Sequence, residues 1–266
     1  MDLGIETITP EMAKKYLMFN TSNRALRKSL VSMYAKDMRE GNWKLTHQGI
    51  AFNCDGTLLD GQHRLSAIIE AGVPVQMMVA RGVERECQIA MDDHAKRNAG
   101  DALSLARNES ITQSDVAVMR AVVELPSGRN RRSMLTKQEL NNVVDLLKEP
   151  MRFVSQYMAS TEKGITSAPV KSAIVLAWFY VDDLERLGLF CGVLTGRILP
   201  DGTGDRAALT LREWLLRNGI MSSSMRLDGF KKTQRSIVAF MKRQDISKIY
   251  GTSVSYPWPL VDPVRR

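Results

Sequence analysis

The chain has 266 residues, 44% of them apolar and 25% charged, with a net charge of +8 and an isoelectric point near 9.5. That composition is ordinary for a soluble globular protein of one large or two modest domains, and its basic balance favours a polyanionic partner, nucleic acid first. The longest strongly apolar run, Ala173–Val181, is too short to span a bilayer, and the widely spaced Cys54, Cys87 and Cys191 exclude both a disulfide frame and a structural zinc site. With no charged-then-apolar pattern at the N-terminus, the expected location is the cytoplasm.

Thr7-Ile8-Thr9-Pro10 makes an extended start, and Glu11 opens a short amphipathic helix ending near Phe19. Asn20-Thr21-Ser22-Asn23 offers N-cap candidates for a helix over about 24–40, which aligns Leu26, Leu30, Tyr34 and Met38 and stops at Gly41. Ile50 and Phe52 alternate ahead of a hairpin turn at Asn53-Cys54-Asp55-Gly56, and Thr57-Leu58-Leu59 reads as the return strand. Asp60-Gly61-Gln62-His63-Arg64 then joins that strand to a helix over 64–71, ended by Gly72 and followed by Pro74.

Backbone N–H groups at a helix start lack intrahelical partners and the helix dipole is positive there, so a phosphate is the natural guest of this turn. Gly61, Gln62 and Arg64 are the expected phosphate contacts, Gly61 by close backbone approach and Arg64 by its forked donor. His63 is the candidate acid or base, and Asp60 would orient it or hold Mg²⁺. A metal held by His47, Cys54 and His63 matches no ligand spacing, so no protein metal site is expected.

Asp-Gly-Gln-His-Arg on a strand-to-helix turn resembles the nucleotide-binding motif of the ParB/sulfiredoxin-like superfamily, the ParB-like nuclease domains, in a form typical of phage or mobile-element proteins. The surrounding order is similar too: Ile8-Thr9-Pro10, a helix closing at Glu40-Gly41, the hairpin, the motif, then Val73-Pro74-Val75. The resemblance covers the chain to about residue 98 and implies a nucleoside triphosphate, ATP or CTP, with Mg²⁺ as an optional companion.

Gln76-Met77-Met78-Val79 adds a strand, and Arg81-Gly82 opens a helix to about Met91. In the polar stretch Asp92–Asn98, two carboxylates, His94 and the cations Lys96 and Arg97 either close over the nucleotide or bind a divalent ion, with Asp93, Lys96 and Arg97 as the nucleotide contacts that the resemblance favours, or they form a solvated turn.

From Ala99 onward strand signals vanish. Helices are expected over 99–107 and 114–125, with Ser114 as the second one's N-cap. Arg129, Arg131 and Arg132 follow in a loop that is either a phosphate grip or a basic surface turn. A capping box at Thr136–Glu139 launches a helix that Pro150 breaks near Lys148, another runs to Ser160, and the pair only weakly suggests a helix-turn-helix. Ser167-Ala168-Pro169 starts a core helix carrying Ile174, Val175, Trp178 and Phe179. A helix over 182–194 and the glycine-rich loop 199–205 lead to a helix over 206–218. Residues 226–248 carry seven Lys and Arg against two Asp and read as a basic amphipathic helix, with Lys231, Lys232 and Arg235 as DNA contacts.

The expected fold class is α+β: a small mixed-sheet ParB/sulfiredoxin-like nucleotide-binding domain over 1–98, an all-α basic domain over 99–248, and an extended tail over 249–266. The expected function is nucleotide binding with hydrolysis or phosphoryl transfer, coupled to action on DNA. Three alternatives stand beside it, a non-catalytic NTP-switched DNA-binding regulator of partition type, a metal-dependent DNA nuclease, and a base-modifying protein whose pocket takes a nucleotide of the DNA itself. No membrane partner is expected, and a homodimer is left open.

Overall fold

The computed structural model describes the chain except residues 22, 24, 85–86, 88–97, 128–134, 201, 203, 220–222, 252 and 258–266. It divides into two compact units, Met1–Lys96 and Arg97–Arg266.

The first unit is built on a four-stranded sheet in the order β1-β4-β2-β3. Strand β1 (Asp2–Ile8) pairs antiparallel with β4 (Val75–Val83), from Ile8↔Val75 to Asp2↔Arg81. Strand β2 (Ile50–Asn53) runs parallel to β4, and β3 (Leu58–Asp60) returns antiparallel to β2, so the sheet is mixed. Three helices cover one face: α1 (Pro10–Leu17), α2 (Lys28–Arg39) and α3 (Gln62–Ala71). Alternation along the strands turns Ile8, Ile50, Phe52, Val75, Met77 and Val79 towards them, where Ala13, Ala35, Leu65 and Ile68 complete the core.

Three sequence expectations change here. The first strand starts at Asp2, because its pairing with β4 runs its full length. Helix α2 starts at Lys28 with no side-chain cap, so Leu26 lies outside it and is exposed; Asn20 and Asn23 bond elsewhere. Arg81 and Gly82 belong to β4 instead of opening a helix, since the Arg81 guanidinium is held by Glu6 across the sheet. Most of the helix expected up to Met91 lies outside the described residues, as does the cluster 92–97.

The second unit is helical: α4 (Ala99–Arg107), α5 (Gln113–Glu124), α6 (Lys137–Tyr157), α7 (Ala168–Trp178), α8 (Leu184–Thr195), α9 (Arg206–Asn218) and α10 (Ser223–Met241). Capping boxes start three of them, Asn98 with Asp101, Thr112 with Asp115 and Thr136 with Glu139. Thr112, not Ser114, is thus the cap of α5. Helix α7 is the central element, with Val170 and Ala173 to Ala177 fully buried; Trp178 and Phe179 sit half-buried against that core.

Pro150 does not break α6, which continues to Tyr157. An interior proline costs about 3 kcal/mol. The helix buries Leu140, Val143, Val144, Leu147 and Val154 in one stripe with Pro150, the five aliphatic side chains each worth roughly 1.5–3 kcal/mol, and that burial prevails.

The expected helix to Lys248 ends sooner. Arg243 adopts a left-handed φ of 55°, and Gln244 N–H bonds Ala239 O at 2.8 Å, turning the chain back. The start of the expected tail packs on this same unit: Ile249 is buried, and the Gln234 carboxamide bonds Ser255 N–H, Tyr256 N–H and Tyr256 O. Among the described residues no helix is long and apolar enough to cross a membrane.

The charge is divided unevenly. Residues 1–96 hold 12 Lys and Arg against 12 Asp and Glu, whereas residues 97–266 hold 25 against 17. The whole net charge therefore belongs to the helical unit.

Candidate functional site

The turn between β3 and α3 is built by all five residues of Asp60–Arg64. Gly61 is the N-cap of α3 with φ 108°, a region closed to other residues. A Cβ there would stand 3.1 Å from both Ile50 Cα and Cγ1. Asp60 folds back so that its Oδ1 accepts from Gly61 N–H at 2.7 Å. Arg64, one turn on, donates to Gly49 O at 2.9 Å and lies 3.3 Å from the other Asp60 oxygen. Asp60 thus orients Arg64 and not His63. The Arg64 side chain is only 15% exposed, while that of Asp60 is 55% exposed and faces solvent.

Gly49 itself, unnoticed in the sequence, is a second fixed point. A Cβ on it would collide with Met78 O at 1.8 Å, so only glycine lets β2 begin beside β4 and present its carbonyl to Arg64. A glycine two residues after a histidine gives no local signal of such a contact.

The described residues of the connection between α1 and α2 bond across this turn as a strap. Leu58 N–H donates to Phe19 O at 2.9 Å, and Asn23 Nδ2 donates to Leu58 O and to Asn20 Oδ1, each at 2.8 Å. Asn20 Nδ2 reaches Gln62 Oε1 at 3.2 Å, and the Arg27 backbone N–H donates to His63 Nε2 at 3.0 Å. Gln62 and His63 are both buried. An imidazole accepting at Nε2 carries its proton on Nδ1 when neutral, so the strap fixes the tautomer of His63. Asn20 and Asn23 stand among the N-cap candidates of the sequence, and Arg27 falls inside the helix expected over 24–40; only their contacts over a long sequence separation reveal the strap.

Leu65 N–H is bonded to Gly61 O at 2.9 Å. The N–H groups of residues 62–64 are those that a helix start leaves without intrahelical acceptors. Chemically the turn offers a dipole-positive helix start, one arginine held in place, and one carboxylate open to solvent.

A polar cluster of the same unit was missed altogether. Arg81 bonds both oxygens of Glu6, at 3.2 Å for the longer contact, and donates to Tyr16 Oη at 3.0 Å; that hydroxyl in turn donates to Glu6 at 2.8 Å. The guanidinium also lies over the Tyr16 and Phe52 rings. Arg81 holds the Glu6 carboxyl below its ordinary value against the opposing effect of burial, while burial first and then Glu6 push the Tyr16 hydroxyl up. A carboxylate with a depressed folded value stabilises above the unfolded value and loses that contribution as pH falls through the folded one. The denaturation midpoint is therefore expected to drop as pH falls below 4.5. Glu6→Gln should flatten this acid limb in urea melts; an unchanged limb would assign the acid sensitivity to other groups.

Of the other expected site residues, Asp93, Lys96, Arg97, Arg129, Arg131 and Arg132 lie outside the described residues. Lys232 is taken up inside the helical unit, 2.5 Å from Asp228 and over the Trp214 ring at 4.1 Å. Lys231 is half-buried and Arg235 exposed on the same helix. Among the described residues no group of three or more His, Cys, Asp or Glu is placed to hold a metal ion.

Comparison with protein-family models, with curated proteins and with solved structures gave no match to this chain.

Proposed function

We propose that the N-terminal unit is a ParB/sulfiredoxin-like domain that binds a nucleoside triphosphate at the start of α3, and that the bound nucleotide governs the protein's hold on DNA. The observation that carries this reading is the preset turn itself: Gly61 at φ 108°, Asp60 bonded to Gly61 N–H and to Arg64, and Arg64 anchored on Gly49 O. A rigid, dipole-positive helix start beside a fixed guanidinium suits a phosphate chain, because little ordering is left to be done on binding. The strap favours a switch over a catalyst, since His63 Nε2 is already engaged by Arg27 N–H. A phosphate chain that displaces this contact would also move the strap.

A second reading, hydrolysis or phosphoryl transfer, rests on Asp60. Its carboxylate is 55% exposed, and a Mg²⁺ ion brought with the phosphate oxygens, the usual mode for that ion, would be held there. Freed from the strap, His63 would be the acid or base.

The test is calorimetric titration of ATP, CTP, GTP and UTP, with and without Mg²⁺ and duplex DNA, while phosphate release and strand cleavage are followed. One nucleotide is expected to bind saturably and to alter DNA affinity. In the switch reading His63→Ala uncouples DNA affinity from nucleotide; in the catalytic reading it cuts turnover by roughly 10²–10⁴. Absence of binding by all four nucleotides would sink both.

A further inference from the structure

Helix α10 is buried nearly all round. Phe230, Thr233, Gln234, Ser236, Ile237, Ala239 and Phe240 are all inside the helical unit. At 3.6 residues per turn, positions 231, 235, 238 and 242 fall within an arc of about 60°. Lys242 still follows the helix, its N–H bonding Val238 O at 3.2 Å. The face left towards solvent therefore carries half-buried Lys231 and exposed Arg235 and Lys242, with half-buried Val238 between them, a row of three cations about 16 Å long at 1.5 Å per residue.

The stripe is extended at one end. After Arg243 the chain turns back on the start of α9: Gly204 N–H donates to Asp245 at 2.9 Å, Thr210 Oγ1 to Ile246 O at 2.8 Å, and Ser236 Oγ to Ala207 O at 2.7 Å. This brings exposed Arg206 and Arg243 to the same end of the surface as Lys242. None of Lys231, Arg235, Lys242, Arg243 and Arg206 is in an ion pair among the described residues. Of the three local carboxylates, Asp228 is paired with Lys232, while Asp245 and Asp205 accept from the backbone amides of Gly204 and Gly202.

We propose that this stripe is the surface on which the helical unit seats the phosphate backbone of duplex DNA, without regard to sequence. Phosphates recur every 3.4 Å of axis on one strand, so a stripe of this length faces about five of them. A straight row of cations on a firmly packed helix matches a stiff, evenly charged rod better than it matches the irregular surface of an acidic protein. The inference rests on the reading of DNA as partner, but not on nucleotide binding.

The experiment uses the full chain and a short labelled duplex in fluorescence anisotropy over a range of salt. The triple variant Arg235→Gln/Lys242→Gln/Arg243→Gln is compared with Lys14→Gln/Lys15→Gln/Lys28→Gln; every one of these positions is exposed, and each triple removes three positive charges. The stripe triple should weaken binding by at least about tenfold and make the salt slope shallower by about 2–3, while the control triple changes affinity less than about twofold. Equal losses from both triples would show a general field and overturn the proposal, as would an unaffected stripe triple or a wild type that binds no duplex at low salt. Tighter binding of poly-glutamate or duplex RNA than of duplex DNA would overturn the choice of partner. Calorimetry with nucleotides on the same samples keeps the two readings apart: loss of DNA binding in the stripe triple of a protein that binds no nucleotide supports the stripe and removes the nucleotide reading.

Discussion

Gly61→Ala is expected to cost the N-terminal unit about 2–4 kcal/mol, the combined effect of a left-handed backbone in a residue with a Cβ and of overpacking against a fixed neighbour. The backbone sits at φ 108°, and the new methyl would press on Ile50 Cα, a main-chain atom that no rotamer change can move. Relief would require β2 to shift, and with it Gly49, whose carbonyl anchors Arg64. Urea denaturation followed by amide hydrogen exchange in β2 and β3 measures the loss in this unit. Gly56→Ala is the comparison, since it also has a positive φ, 81°, but has nothing within 4 Å of its Cβ position. Equal losses at the two glycines would mean that backbone strain alone matters and that the contact with Ile50 is slack.

Arg64→Ala should act twice. Removing the guanidinium leaves Gly49 O without that donor and Asp60 without its cation, an expected loss of about 1–3 kcal/mol in stability. If the proposed nucleotide site is right, affinity for the triphosphate falls by at least tenfold as well, a charge-assisted contact being worth about 1.5–3 kcal/mol. Arg64→Lys separates the two effects: Arg64 Nη1 makes both contacts, to Gly49 O and to Asp60, so an ammonium can keep the charge and one of these bonds but lacks the further guanidinium N–H groups that a phosphate would take. Calorimetry well below the melting point should show Arg64→Lys intermediate in affinity. Unchanged nucleotide binding in Arg64→Ala would leave Arg64 as a structural clamp only.

Much of this protein is legible from local chemistry. The strand-to-helix turn at Gly61, the reciprocal caps at Thr136 and Glu139, the all-helical character after Ala99 and the glycine stop at Gly72 follow from rules that act within a few residues. Elements settled by competition between distant groups read less well. Local propensity breaks a helix at Pro150, but a stripe of buried side chains carries α6 through it. Arg81-Gly82 looks like a helix opening until Glu6, on another strand, draws the guanidinium across the sheet.

The same division runs through both candidate sites. Charge, periodicity and turn chemistry by themselves determined that a helix starts behind a glycine at residues 60–64 and that the basic excess falls late in the chain. Only the tertiary structure decided what those groups are bonded to: that Asp60 serves Arg64, that the strap from Asn20 to Arg27 occupies His63, and that Lys232 turns to Asp228 while Arg235, Lys242 and Arg243 stay open to solvent. The physical reason is range. Dihedral preferences and caps act over one helical turn, whereas a side chain's partner is chosen by packing that joins residues up to 75 positions apart, as Glu6 and Arg81 are.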